Sequence, residues 1–206
     1  FKGSADIVKG YAKEAYRTSG LSANAYMESV TGFSASLLQS LGGDTGKAAE
    51  IANMAMIDMS DNANKMGTSM ESIQFAYQGF AKQNYTMLDN LKLGYGGTKE
   101  EMQRLLTDAQ KLTGVKYDIN NLSDVYQAIH AIQENLDITG TTAKEASTTF
   151  TGSFASMKAA AQNVLGNMAL GEDLTPSLEA LKETVQTFVF GNFIPLLKNA
   201  VKAIPE

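Results

Sequence analysis

The apolar residues of this 206-residue chain recur at spacings of three and four from end to end, and strand-like alternation is almost absent. That period puts successive apolar side chains on one face of an α-helix and restricts the chain to packing helix against helix. Residues 4–18 carry Ile7, Val8, Tyr11 and Ala15 on one face. Residues 22–41 carry Ala25, Val30, Phe33, Leu37 and Leu41, with Gly32 as a weak point. Gly42-Gly43 stop this helix, and Asp44 is placed to cap the next, which holds Ala48, Ile51, Ala55, Met59, Asn62 and Met66. Thr-x-x-Glu boxes at Thr68–Glu71, Thr98–Glu101 and Thr142–Glu145 mark three further helix starts, because the hydroxyl and the carboxylate can satisfy free N–H groups of the first turn. The Thr98 helix carries Met102, Leu105, Leu106, Ala109 and Leu112 and closes at Gly114. Leu122, Val125, Ile129, Ile132 and Leu136 define the next.

From Thr142 the pattern predicts one uninterrupted helix to about residue 170. Its heptad-like seam is Phe150, Phe154, Met157, Ala161, Val164 and Met168. Thr175-Pro176 opens a last helix with proline at its first position, carrying Leu178, Leu181, Val185 and Phe188. The expectation is an all-α, multi-helix bundle of about eight helices with antiparallel neighbours, compatible with an elongated form. The division expected is an N-terminal helical pair over 1–43, a helical core over 44–170, and an amphipathic C-terminal helix over 171–206.

Several chemistries are disfavoured by what the chain lacks. There is no cysteine, so disulfides, thiolate metal sites and cysteine nucleophiles are excluded. The net charge is −5, which argues against specific nucleic-acid binding. The single histidine, His130, has Glu134 one turn later, and the expectation is a helix-surface pair. Asp58 and Asp61 read as solvated face residues. The Gly94–Lys99 run lacks the Gly-Lys-Ser/Thr order of a phosphate loop and reads as a helix-capping loop. No G-x-S-x-G elbow or H-E-x-x-H pair occurs, so no catalytic, cofactor-binding or metal-binding residue is assigned and the chain reads as a non-enzyme.

The stretch from Thr187 to Ile204 is the most apolar of the chain. It contains Phe188, Val189, Phe190, Phe193, Ile194, Leu196, Leu197 and Val201, with Lys198 and Lys202 one turn apart. A span needs about 20 apolar residues, so this interrupted segment is too short to cross a bilayer. Phe188, Phe193, Ile194, Leu197 and Val201 form the expected contact surface, toward the rest of the bundle, another copy or a membrane surface. Pro195 is expected to kink the helix. The start at Phe1 rather than Met reads as a piece of something longer.

Three blocks resemble siphophage tail tape measure proteins, especially those of phages and prophages of Gram-positive bacteria. They are LDNLKLGYGGTKEEMQRLLTDAQKLTG (Leu88–Gly114), ITGTTAKEASTTFTGSFASMKAAAQNVLGNMALGEDLTPSLEAL (Ile138–Leu181) and TFVFGNFIPLLKNAVKAIPE. The resemblance covers residues 45–206, and the Leu91–Met102 string is its most specific part. It implies a structural virion protein of the tail lumen, assembled in the host cytoplasm. Such proteins are present in several copies, set tail length and are ejected with the genome. Implied partners are copies of itself, tail tube, tail-tip and tail chaperone proteins, and the host membrane on ejection. It implies no cofactor. The alternative reading is a membrane-active or secreted helical effector, and a hydrolase would rest only on His130 and scattered acids such as Glu134.

Overall fold

The computed structural model describes residues 2–203 and contains no strand among them. Its α-helices are α1 (Ala5–Thr18), α2 (Ala23–Ser40), α3 (Thr45–Met66), α4 (Met70–Phe80), α5 (Lys99–Thr113), α6 (Leu122–Asn135), α7 (Thr141–Thr148), α8 (Phe150–Leu170), α9 (Thr175–Gln186) and α10 (Ile194–Lys202). The 3-10 turns Lys2–Ser4 and Leu88–Leu91 and a π-helical segment, Thr187–Phe193, complete the order. The all-α expectation holds. Contacts divide the chain into two compact units. The first comprises the residues up to Tyr11 together with Met27–Thr141. The second comprises Ala12–Tyr26 and the chain from Thr142 onward. The boundaries expected at 43/44 and 170/171 each fall inside one unit.

In the first unit α6 packs on α3 and α5, and α3 packs on α4. Tyr126 of α6 is fully buried, meets Phe33 edge-on with centroids 5.5 Å apart, and lies 5.0 Å from the Tyr77 ring. Its hydroxyl donates to the Tyr77 carbonyl at 2.9 Å, so one of the largest core side chains also ties α6 to α4. Asp44 caps α3 by accepting from Lys47 N–H at 3.0 Å. Thr98 caps α5, accepting from Glu101 N–H at 3.2 Å. The Glu101 carboxylate does not return to Thr98; it reaches further back and accepts from Gly96 N–H at 2.9 Å.

Two of the expected caps are displaced. The cap of α4 is Ser69, which accepts from Ser72 N–H. Thr68 is already engaged, because its N–H closes α3 on the Ala63 carbonyl and its hydroxyl donates to Asn90 O. Glu71 therefore sits in the first turn without a boxed partner. The helix of Thr142 begins at Thr141, whose hydroxyl bonds the Ile138 carbonyl. Thr142 is buried inside the first turn, and Glu145 lies mid-helix.

In the second unit the single helix expected from Thr142 to 170 is two. Thr149 ends α7 and caps α8, its hydroxyl donating to Glu145 O at 3.1 Å and accepting from Gly152 N–H at 3.0 Å. Gly152 makes the corner possible: a Cβ there would lie 2.5 Å from the Glu145 carbonyl carbon. Tyr16 of α1 packs with Ala159 and Ala160 of α8, and Ala180 and Leu181 of α9 close over them. Ala23 N–H donates to the Asn163 side chain at 2.7 Å. From Thr175 to Lys202 the chain is one continuous helical run. Pro195 lacks the N–H that would bond Gly191 O. The run passes it by widening just upstream to π register, where Ile194 N–H reaches Val189 O and the Asn192 amide takes up Thr187 O at 3.1 Å.

Candidate functional site

Both units contain arrangements that break the rule of apolar inside and polar outside. In the first unit a polar row lies at the middle of α3. Asp58, Ser60, Asp61 and Asn62 are all buried, the two aspartates completely. This overturns the expectation that Asp58 and Asp61 lie on a solvated face. A buried carboxylate survives only with partners, and each has one. Asp61 accepts from the Gly140 N–H at 2.6 Å, which fixes the turn between α6 and α7. Asp58 receives His130 Nδ1 at 2.8 and 3.1 Å on its two oxygens. Gln133, one turn beyond His130 on α6, donates to the Asp58 backbone carbonyl at 3.4 Å. Asn62 donates to Leu91 O at 3.0 Å.

His130 is therefore a bridge between α6 and α3. Glu134 approaches its outer nitrogen only to 3.6 Å and is itself exposed, so the expected His130–Glu134 pair is the minor contact. Burial pushes the Asp58 carboxyl up to about 6, against the opposing hydrogen bond and charge of His130. The hydrogen bond to Asp58 raises the His130 pKa, against the effect of its own burial. Tyr77 is fully buried, its hydroxyl has no hydrogen-bond partner among the described residues, and burial, followed by the Asp58 charge, raises its pKa far above the usual range. Sequence reading missed this cluster because its halves are 72 positions apart. The one local signal was the spacing of Asp58, which follows Ala55 by three and Ile51 by seven and so lies beside the apolar face.

The loop Gly94–Gly97 is held by the helix it precedes. Arg104 lies over the Tyr95 ring at 4.3 Å, donates to Gly94 O at 2.8 Å and grips Glu101 at 2.6 Å. These bonds, first to Arg104 and then to Gly96 N–H, pull the Glu101 carboxyl down to about 2.

In the second unit the anomaly is α8. Its 21 residues hold one charge, Lys158. The inward face is made of small residues, Ser153, Ser156, Ala159 and Ala160, with Val164. Burial along the expected seam is uneven. Val164 is buried and Met157 half-buried, but Phe150, Phe154 and Met168 are exposed, Met168 by 59%, beside Leu165 at 63%. Small residues let helix axes approach closely and so take the inner face, which leaves the bulky ones at the rim. There Phe150 and Phe154 meet Phe188 at 5.2 and 5.4 Å, and Phe188 stacks on Phe193 at 5.8 Å. Of the remaining predicted contact residues, Ile194 is half-buried while Leu197 and Val201 are exposed, as are Phe190 and Leu196. Ile204 lies outside the described residues.

Among the described residues no three metal-ligating side chains converge, and no helix is long and apolar enough to cross a membrane. Comparison with protein-family models, with curated proteins and with solved structures returns no match.

Proposed function

We propose that this chain is a structural, non-catalytic helical module of a phage tail, a part of a tape measure protein acting in tail length determination, tail assembly and genome delivery. The three sequence blocks between Leu88 and the C-terminal segment support the family. The structural observation that carries the reading is the outward display of large apolar side chains by helices of the second unit: Phe154, Leu165, Met168, Phe190, Leu197 and Val201. A protein that assembles through helix–helix packing needs such a surface, since its burial supplies the driving force for association. In this reading the chain resides in the tail lumen of the virion, after assembly in the host cytoplasm. Copies of itself, tail tube, tail-tip and tail chaperone proteins are its partners, with the host membrane met on ejection. An α-helix advances about 1.5 Å per residue, so a helical chain fixes a length by residue count. Electron microscopy of phages carrying an in-frame deletion within α5–α8 tests the proposal. Shortened tails support a ruler segment, absent tails an assembly module, and normal tails of full length remove both.

A second reading, a membrane-active or secreted helical effector, is favoured by one feature. α10 exposes Leu196, Leu197 and Val201 together with Lys198 and Lys202, which suits an anionic lipid surface. Dye release from anionic liposomes by the purified chain distinguishes it from a passive ruler.

A further inference from the structure

The buried Asp58–His130 bridge is unusual in that the one histidine of the chain is spent on a carboxylate that has no access to water. It joins the middle of α3 to the middle of α6, the helix on which the core of the first unit is organised. The groups facing it are few. On α3, Asp61 opposes the Asp58 charge from the next turn. On α6, Glu134 does the same from the outer side of the imidazole. On α4, Tyr77 offers a neutral ring whose hydroxyl is unpartnered. The imidazole is thus the cation that compensates Asp58, and it is 27% exposed, open to exchange its proton with solvent.

We infer that the Asp58–His130 bridge is a proton-dependent clasp between α3 and α6, firmest in acid and slackened in two steps as the pH rises to neutrality and beyond. Below about pH 6 the Asp58 carboxyl is neutral and the one charge of the pair is the partly exposed imidazolium; just above it the two form a compensated ion pair. When His130 loses its proton, an ionised carboxylate is left inside the unit among Asp61 and Glu134. The sign follows from both partners. Asp58 titrates near 3.8 when exposed and near 6 in the folded chain, and His130 is raised above 6.5. Both groups make the folded unit bind more protons than the unfolded one, so the stabilisation is complete below the exposed Asp value. It is lost first as the pH climbs toward 6 and then as it passes the raised His130 value. The inference is independent of the tail reading.

Hydrogen exchange of the α3 and α6 amides in the whole chain tests it, corrected for intrinsic rates. Relative to Asp58→Asn, wild-type protection should fall by about thirtyfold or more between about pH 4.5 and about pH 8, from the Asp58 displacement alone. A fall of equal size in Asp58→Asn, or no fall in the wild type, overturns the clasp. His130→Gln gives the second arm. It removes the cation but keeps a hydrogen-bond donor, so protection should be near wild-type at about pH 4.5 and clearly below wild-type just above pH 6, where Asp58 is ionised and the wild-type imidazole still holds its proton. An equal loss at both pH values means a merely structural contact and also overturns it. The imidazole of His130 is the only one in the chain, so its proton resonances follow the titration directly, and in Asp58→Asn they should shift at a lower pH.

Discussion

Alanine in place of glycine within a helix ordinarily stabilises by about 0.5–1 kcal/mol, because glycine loses more backbone freedom on folding. Gly152 should do the reverse. It sits in the first turn of α8, where its own N–H is taken by the Thr149 hydroxyl. A Cβ built there falls 2.5 Å from the Glu145 carbonyl carbon, 2.9 Å from the Glu145 Cβ, and closer still to the carbonyl oxygen. Two of these atoms are backbone of α7 and cannot rotate away. Relief requires α7 and α8 to separate at the Thr149 corner, which disturbs both bonds of the Thr149 hydroxyl. Overpacking of this kind costs about 1–3 kcal/mol, so Gly152→Ala should be destabilised by about 1–2 kcal/mol after the gain in propensity. Gly166, in the same helix, is the control. A Cβ there meets only the Asn24 amide nitrogen at 3.5 Å, an ordinary contact, so Gly166→Ala should be stabilised by about 0.5–1 kcal/mol. Urea unfolding followed by far-ultraviolet circular dichroism reads both. If Gly152→Ala moves the midpoint upward alongside Gly166→Ala, the corner between α7 and α8 is not built on close approach.

Thr98→Ala should cost about 1 kcal/mol by removing the α5 cap, measured as a lowered denaturant midpoint. Tyr77→Phe removes a buried hydroxyl that has no partner among the described residues, and calorimetry should show the melting temperature rising, by the equivalent of about 1 kcal/mol. Phe188 touches three other rings, so Phe188→Ala should lose about 2–4 kcal/mol in the same urea assay. Phe190, nearby and 69% exposed, should lose less than about 0.5 kcal/mol on the same truncation.

Helix content was legible because the period of three to four is a local property. The caps Asp44 and Thr98 were legible for the same reason, since each hydroxyl or carboxylate meets an N–H three residues away. The failures all turn on competition that the local pattern does not contain. Thr68 and Ser69 are both capping residues, and the choice between them depends on which one α3 has already used for its own last carbonyls. The corner at Thr149 was hidden because Thr-Thr-Phe-Thr-Gly is permissible inside a helix. Only the nearness of the Glu145 carbonyl to Gly152 reveals why it bends. At Pro195 the π segment just upstream absorbs the missing donor, a change of register that the local pattern does not announce.

The misreading at Asp58 and the uneven burial along α8 have one origin. A periodic pattern says which residues share a face; it does not say what that face meets. On α3, Asp61 and Asp58 go inward with the apolar residues, because the turn at Gly140 and the imidazole of His130 supply the donors that make burial tolerable. On α8, serine and alanine go inward because close approach to α1 and α9 needs small side chains. The large residues of the same helix are then left at the edge with Phe188 and Phe193. Polar burial and apolar exposure thus arise by the same rule: the available partner decides, and hydropathy ranks only the residues for which no partner is present. Asp58→Ala should therefore cost the first unit several kcal/mol in urea unfolding, whereas truncation of the exposed Leu165 or Met168 should leave the midpoint within about 0.5 kcal/mol.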